Sequence, residues 1–278
     1  MTDPEFLQRE YGSTEPLQVR MRMHALYSLH SSDVFDDLTQ WARAKLVPQT
    51  ILDVGMGSGH WYEAIVRHCP SSLYHGIDTS EAMIESFSHY APFTLSAHVS
   101  VADAMNVPFS NASMDWVGLH FMLYHVPDPH RALAEAWRVL KPGGLLMTLA
   151  HGSMNFSALT ALHHRALAHC GWSARTTSEE GFTYTLDNGA DYFPSEADVC
   201  CHAFPSGLRF PTANAVIAYY QSGFIFRSLN PDARKNDTLY HCLSETMWSF
   251  IQDHFTSHDH FDVVGRTGWL WAVKHDNR

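Results

Sequence analysis

Ile51-Leu52-Asp53-Val54-Gly55-Met56-Gly57-Ser58-Gly59-His60-Trp61 is a short apolar strand that ends in an acid and runs into three glycines at alternate positions. Ile51, Leu52 and Val54 form the apolar run that a strand buried on both faces of a parallel sheet requires. The glycines carry no Cβ, so the chain can turn sharply and bring backbone N–H groups close to a ligand. Trp61, Ala64, Ile65 and Cys69 then recur at helical spacing, so the turn opens a helix over 61–69 whose amino end faces the same ligand. Strand, turn and helix make half of a βαβ unit built to cradle a nucleotide-type ligand.

Glycine turns also serve dinucleotide sites, and the spacing separates the two cases. The dinucleotide fingerprint is Gly-x-Gly-x-x-Gly, whereas this turn reads Gly-x-Gly-x-Gly with Asp53 two positions before the first glycine. A carboxylate there would repel a pyrophosphate. A ligand that carries positive charge and lacks phosphate fits better.

Four further blocks follow in order: Gly76-Ile77-Asp78-Thr79-Ser80-Glu81-Ala82-Met83, Val101-Ala102-Asp103-Ala104-Met105, the stretch 114–128 containing His120, Tyr124 and His125, and Arg138-Val139-Leu140-Lys141-Pro142-Gly143-Gly144 leading into Leu145-Leu146-Met147-Thr148. With the glycine turn, this ordered set resembles the class I S-adenosylmethionine-dependent methyltransferases over about a hundred residues. The resemblance implies S-adenosylmethionine as cofactor, held at Asp53, Gly55, Gly57 and Gly59, at Asp78, Thr79 and Met83, at Asp103, Ala104 and Met105, and at His120. In such a site Asp78 holds both ribose hydroxyls and Asp103 accepts from the adenine amino group.

Read on its own chemistry, Asp78 stands at a strand end about 20 residues after the glycine turn, where a ribose-binding acid belongs in any doubly wound sheet. Asp103, before Ala104-Met105, suits either the adenine or a cap on the following turn.

Residues 1–45 read as an N-terminal helical segment. Arg20, His24 and Tyr27 fall at i, i+4 and i+7, which makes either a solvated stripe or the inner face of a lid. The run Tyr11-Gly12 and Leu17-Gln18-Val19-Arg20-Met21-Arg22-Met23-His24-Ala25-Leu26-Tyr27 resembles a subset of small-molecule methyltransferases in which such a helix closes over cofactor and acceptor. That likeness implies Arg20 for the cofactor's carboxylate and aromatic or imidazole rings (Tyr11, His24, Tyr27) near its sulfonium.

Residues 46–278 read as one α/β domain. Its core, 50–151, alternates strand and helix, as a doubly wound parallel sheet requires. Leu133, Trp137 and Leu140 make a packing stripe on a helix over 131–140. Beyond it, 152–278 reads as a helix over 155–170, a polar loop 171–194, a sixth strand over 198–204, helices around 214–221 and 237–254, and a last strand over 268–274. The expected fold is a Rossmann-like, seven-stranded, mainly parallel sheet whose last two strands pair antiparallel.

Eighteen Lys plus Arg against 29 Asp plus Glu give a formal net charge of −11, which disfavours a nucleic-acid substrate. No apolar run reaches membrane-spanning length and the first ten residues lack the pattern of a secretory signal, so the expected location is the cytoplasm. Five cysteines without a Cys-x-x-Cys pair read as reduced thiols. The 20 histidines raise a metal hypothesis, including His254, His258 and His260, but no ligand spacing such as His-Glu-x-x-His supports one, and no metal is expected.

Methyl transfer from a sulfonium to a nucleophile needs alignment and exclusion of water more than a reactive side chain. Where the acceptor must lose a proton, a histidine base suits the task. His125, just past the fourth strand, is either that base or a core histidine; Tyr124 beside it and His151 after the fifth strand are the other candidates. The favoured function is methyl transfer to a small molecule. The alternatives are a non-catalytic binding or regulatory subunit and, against the glycine spacing, a nicotinamide-dependent oxidoreductase. The acceptor and the oligomeric state stay open.

Overall fold

In the computed structural model, which describes residues 15–90, 96–172, 183–224 and 236–275, the strand read at 51–54 spans Thr50–Val54 (β1) and lies inside a seven-stranded sheet. It pairs in parallel with Leu73–Asp78 (β2) on one side and Met114–His120 (β4) on the other. Ala97–Val101 (β3) extends the sheet beyond β2, and Leu140–His151 (β5) extends it beyond β4. Phe261–Val273 (β7) pairs antiparallel with β5, and Cys200–Phe210 (β6) forms the edge beside β7. The order β3-β2-β1-β4-β5-β7-β6 reverses direction between β1 and β4, which opens the crevice where such sheets bind ligands.

Two helical layers cover the sheet. Val34–Arg43 (α2), His60–His68 (α3) and Glu81–Tyr90 (α4) bury one face around Ile51, Trp61, Trp116 and Leu145. Pro129–Val139 (α5) buries the other through Ala132, Leu133, Ala136 and Trp137 against Leu52, Val117 and Leu146. Local chemistry sets the helix starts: Asp33 caps α2 by accepting from the N–H groups of Phe35 and Asp36, and Asp128 caps α5 ahead of Pro129.

A third core lies off the sheet. Ser157–His169 (α6), Ala213–Tyr219 (α7), continued by a π turn at Tyr220–Phe224, and Asp237–Phe255 (α8) pack around Leu159, Val216, Leu243 and Ile251, with Phe210 of β6 and Val263 of β7 as its floor. Glu15–Tyr27 (α1) docks on this cap, packing against α7 and β6. Its end is pinned by the Leu29 N–H donating to the Gly207 carbonyl at 2.9 Å. Residues 15–43 therefore divide between α1 on the cap and α2 on the sheet.

Three expectations change. Strands β6 and β7 run well past the expected 198–204 and 268–274, with eleven paired positions from Cys200–Trp271 to Phe210–Phe261. β6 continues through Pro205 because it is an edge strand, where a residue without an N–H to donate is tolerated. The Arg209–Asp262 ion pair at 2.7 Å ties the far end of the two strands. The reduced-thiol expectation fails for two of the five cysteines, since Cys170 and Cys242 form a disulfide between the end of α6 and α8. Their separation of 72 residues carried no pattern in the sequence, and the cap brings their Cα atoms to 6.0 Å.

Candidate active site

Above the carboxyl ends of β1, β2, β4 and β5, and beneath α1 and the cap, lies a cavity of about 1330 Å³. Pockets for a single drug-sized ligand span about 300–1,000 Å³, so this larger space admits two molecules side by side.

The glycine turn forms its floor. Gly55, Gly57 and Gly59 hold φ of 70°, 54° and 93°. At Gly59 a Cβ would come within 2.4 Å of the Phe87 ring, while at Gly57 it would meet nothing within 4 Å, because that position opens onto the cavity. No side chain caps the start of α3, whose first turn follows Gly59.

Two acids flank the turn. Asp78 accepts from the Gly57 N–H at 2.9 Å with one oxygen and from the Ser80 N–H at 2.9 Å with the other. A carboxylate has about four lone-pair sites, so Asp78 keeps acceptor capacity toward the cavity it lines. Burial raises its pKa, and the hydrogen bonds from Ser80, Gly57 and Thr79 pull the other way. Asp53 is 2% exposed and accepts from the Tyr74 hydroxyl at 2.8 Å. Burial pushes it up to about 7; Asp78 adds to the rise and the Tyr74 hydrogen bond opposes it.

The remaining sheet-side residues fall as follows. Thr79, Met83, Asp103, Ala104, Met105 and His120 line the cavity with Asp53, Gly55, Gly57 and Asp78, whereas Gly59 lies beneath the lining, its N–H donating to the Met56 carbonyl at 3.0 Å. Asp103 also accepts from the Met105 N–H at 2.8 Å, so it stabilises its own turn as it faces the cavity. His120 is 7% exposed, packs edge-on to Trp61 at 4.4 Å, and neither of its ring nitrogens has a partner among the described residues. Burial pushes its imidazole down to about 3.

From α1, Arg20 and His24 reach the lining. Arg20 donates to the Ser222 carbonyl of the cap. Enclosure, and then the Arg20 charge, push His24 down to about 4, although the cavity leaves its ring open to solvent. Tyr27 does not line the cavity: β6 draws the end of α1 onto itself, and the Tyr27 ring packs against Phe210 at 5.6 Å. Tyr11 lies outside the described residues.

The candidate catalytic groups gather at the ends of β4 and β5. Tyr124 and His125, in a 3-10 turn at Leu123–His125, pack ring to ring at 4.4 Å, and both line the cavity. His151 lines it from β5, its Nδ1 3.1 Å from the Thr267 hydroxyl. Phe121, Phe156, Phe204, Tyr219, Ser206 and Thr267 also line it and were not singled out from sequence. Phe121 sits inside a recognised block, so its place was available; the others come from segments whose pairing only the folded chain reveals.

Among the described residues, no group of three or more His, Cys, Asp or Glu side chains is placed to hold a metal ion. His254 and His258 stack at 4.2 Å instead, and His254 Nε2 lies 2.9 Å from the His260 carbonyl. No described helix is long and apolar enough to cross a membrane.

Comparison with known proteins places this geometry. Residues 52–148 match the family model described as a methyltransferase domain. Demethylmenaquinone methyltransferase of Staphylococcus aureus is 39% identical over 99 residues, which are 35% of this chain and 41% of that protein. The chain thus matches about two fifths of the length of such curated relatives. Among solved structures, YcgJ of Bacillus subtilis superposes with a TM-score of 0.56 at 14% identity, covering 87% of this chain and 99% of that one. Phosphoethanolamine N-methyltransferase 2 of Haemonchus contortus, in complex with S-adenosyl-L-methionine, gives 0.55 at 16% identity over 98% of this chain and 60% of that one. At these identities the structures speak for the fold alone.

Proposed function

From the premise that residues 52–148 are a class I S-adenosylmethionine-dependent methyltransferase domain, we propose that the protein transfers a methyl group from S-adenosylmethionine to a small-molecule acceptor. One observation carries this reading. The glycine turn is flanked by two carboxylates, Asp53 and Asp78, in a cavity large enough for a second molecule. Such a floor attracts a cationic, phosphate-free ligand and repels a pyrophosphate.

S-adenosylmethionine supplies a methyl group already activated on a sulfonium, with a neutral leaving group. The protein then has to hold and align. Asp78 offers its remaining lone pairs to the ribose hydroxyls, Asp103 faces the adenine, and Arg20 of α1 meets the carboxylate at the other end. α1 and the cap exclude water and bring the acceptor into line. Where the acceptor gives up a proton, His151 or His125 takes it, with Tyr124 as the adjacent donor. Location in the cytoplasm belongs to the same reading and is checked by cell fractionation; the Cys170–Cys242 bond weighs against it.

Titration calorimetry with S-adenosylmethionine, S-adenosylhomocysteine and NAD tests the site. The first two bind and NAD does not, and Asp78→Ala weakens them about tenfold or more, the scale of one lost charge-assisted pair of hydrogen bonds. Incubation with methyl-labelled cofactor and a metabolite extract then separates an enzyme from a binding subunit: label in an extract component supports transfer, and a silent extract favours the binder.

A further inference from the structure

Resting on the methyl-transfer reading above, we infer that the acceptor is a neutral, flat aromatic molecule bearing a hydroxyl, and that Thr267 and Ser206 position His151 for it. Away from the glycine turn the cavity is walled by five rings in succession. Phe121 stacks on His151 at 4.5 Å, and His151 meets Phe156 edge-on at 5.4 Å. Phe156 lies 6.2 Å from Tyr219, which meets His24 edge-on at 5.9 Å. All five line the cavity, and they arrive from the ends of β4 and β5, the loop before α6, α7 and α1. Phe121 and Phe156 hold φ of 53° and 66°, left-handed backbone that costs a bulky residue free energy. The surrounding fold imposes that cost at the two positions that aim rings into this wall.

The chemistry of the wall selects the ligand. Among the described residues that line the cavity from β5, β6, β7 and the cap, none is Lys, Arg, Asp or Glu. Arg20 and Arg22 line the cavity from α1 alone, so on β5, β6, β7 and the cap a phosphate-bearing acceptor would find no cation, and an ammonium-bearing one no carboxylate to replace its water. A cation would also meet the sulfonium of the cofactor with like charge. A flat neutral ring instead gains offset and edge-to-face contacts from each ring it meets.

The hydroxyl follows from the support behind His151. Its Nδ1 lies 3.1 Å from Thr267 Oγ1, which lies 2.7 Å from Ser206 Oγ, diagonally across the neighbouring strands β7 and β6, where Thr267 pairs with Phe204 and Ser206 with Gly265. This chain holds the orientation of the imidazole, and with Nδ1–H donating to Thr267 it leaves the other ring nitrogen as the base, which matters only if the nucleophile has a proton to lose. In the transfer the acceptor O–H bond breaks and its proton passes to the His151 ring nitrogen opposite Thr267. The oxygen lone pair forms the new O–CH3 bond as the CH3–S bond breaks, its electron pair staying on sulfur to leave a neutral thioether. The imidazolium afterwards returns its proton to solvent.

The test uses the full chain saturated with S-adenosylhomocysteine. By calorimetry, 2-naphthol binds this complex while phosphoethanolamine and tetramethylammonium do not, and Phe156→Ala weakens 2-naphthol at least tenfold with S-adenosylhomocysteine affinity unchanged. Binding of either charged probe in preference to 2-naphthol, or an unchanged Phe156→Ala affinity, overturns the assigned class. Failure of S-adenosylhomocysteine itself to bind instead defeats the underlying methyl-transfer reading. With labelled cofactor, Thr267→Val shifts the acid limb of the kcat/KM profile for 2-naphthol and Thr267→Ser restores it; a limb unmoved by Thr267→Val refutes the positioning role.

Discussion

Removing the Tyr74 hydroxyl changes how pH controls cofactor binding. Asp53 lies buried under the glycine turn with its pKa pushed up to about 7 by burial, so in the free protein it is half protonated near neutral pH. A cationic ligand favours the ionised form, and an opposite charge within about 4 to 6 Å lowers a carboxylate by about 1 to 3 pH units. Binding therefore expels a proton, and affinity rises by up to about tenfold per pH unit below 7 and levels off above it. Asp78 is also raised by burial and acts in the same direction. Tyr74→Phe deletes a 2.8 Å hydrogen bond to the ionised carboxylate, worth about 1.5 to 3 kcal/mol. That equals about 1 to 2 pH units, so the variant's affinity levels off near pH 8 or above. At pH 7 it binds S-adenosylmethionine about tenfold more weakly, and at pH 9 the two proteins converge. The native state holds this proton between the ordinary carboxylate value of 3.8 and about 7, so the same group makes stability fall as pH rises through that window. Calorimetry from pH 5.5 to 9, in buffers of unlike ionisation enthalpy, reads affinity and proton release together. A flat affinity profile, or a Tyr74→Phe profile that levels off at the wild-type pH, refutes the reasoning.

Other expectations are more compact. His120 is held neutral, its pKa pushed by burial from 6.5 to about 3, so the unfolded chain takes the proton first and stability falls as pH drops below 6.5. His120→Leu loses about 2 kcal/mol less than wild type between pH 6.5 and 5 in denaturant titrations, and at pH 7.5 it melts no lower, because it removes an unsatisfied polar group; a lower melting point or an unchanged pH slope contradicts this. His163, buried and pushed to about 4 by burial and then by His164, adds to the acid loss in the same direction. Reducing Cys170–Cys242 frees a loop of 72 residues, which the chain-entropy account values at about 4 kcal/mol. Thermal melts with and without dithiothreitol should differ by several degrees, and identical melts would mean that the bond does not constrain the unfolded chain.

The sheet-side half of the site was legible because its chemistry is local. Asp53 and Gly55 through Gly59 lie within seven residues, and Asp78 follows at the end of the next strand, so strand periodicity and turn chemistry place them without long-range information. Tyr27 illustrates the limit. Helical spacing grouped it with Arg20 and His24, but packing against Phe210 of β6, almost two hundred residues later, turned it into the cap core. Strands β6 and β7 run past the expected ranges for a related reason: each is satisfied along its length only by the other, a pairing between segments about sixty residues apart.

From sequence alone came the parallel core, the glycine turn, its two acids and the expectation of a cationic ligand, all properties of short segments whose geometry is set by backbone sterics and alternation of polarity. The tertiary structure decided the wall opposite: the join of Cys170 to Cys242, the succession of rings from Phe121 to His24, and the Thr267–Ser206 support behind His151. Those contacts pair residues up to about two hundred positions apart, and the free energy that selects them is burial of a third core, which no single stretch of the chain contains.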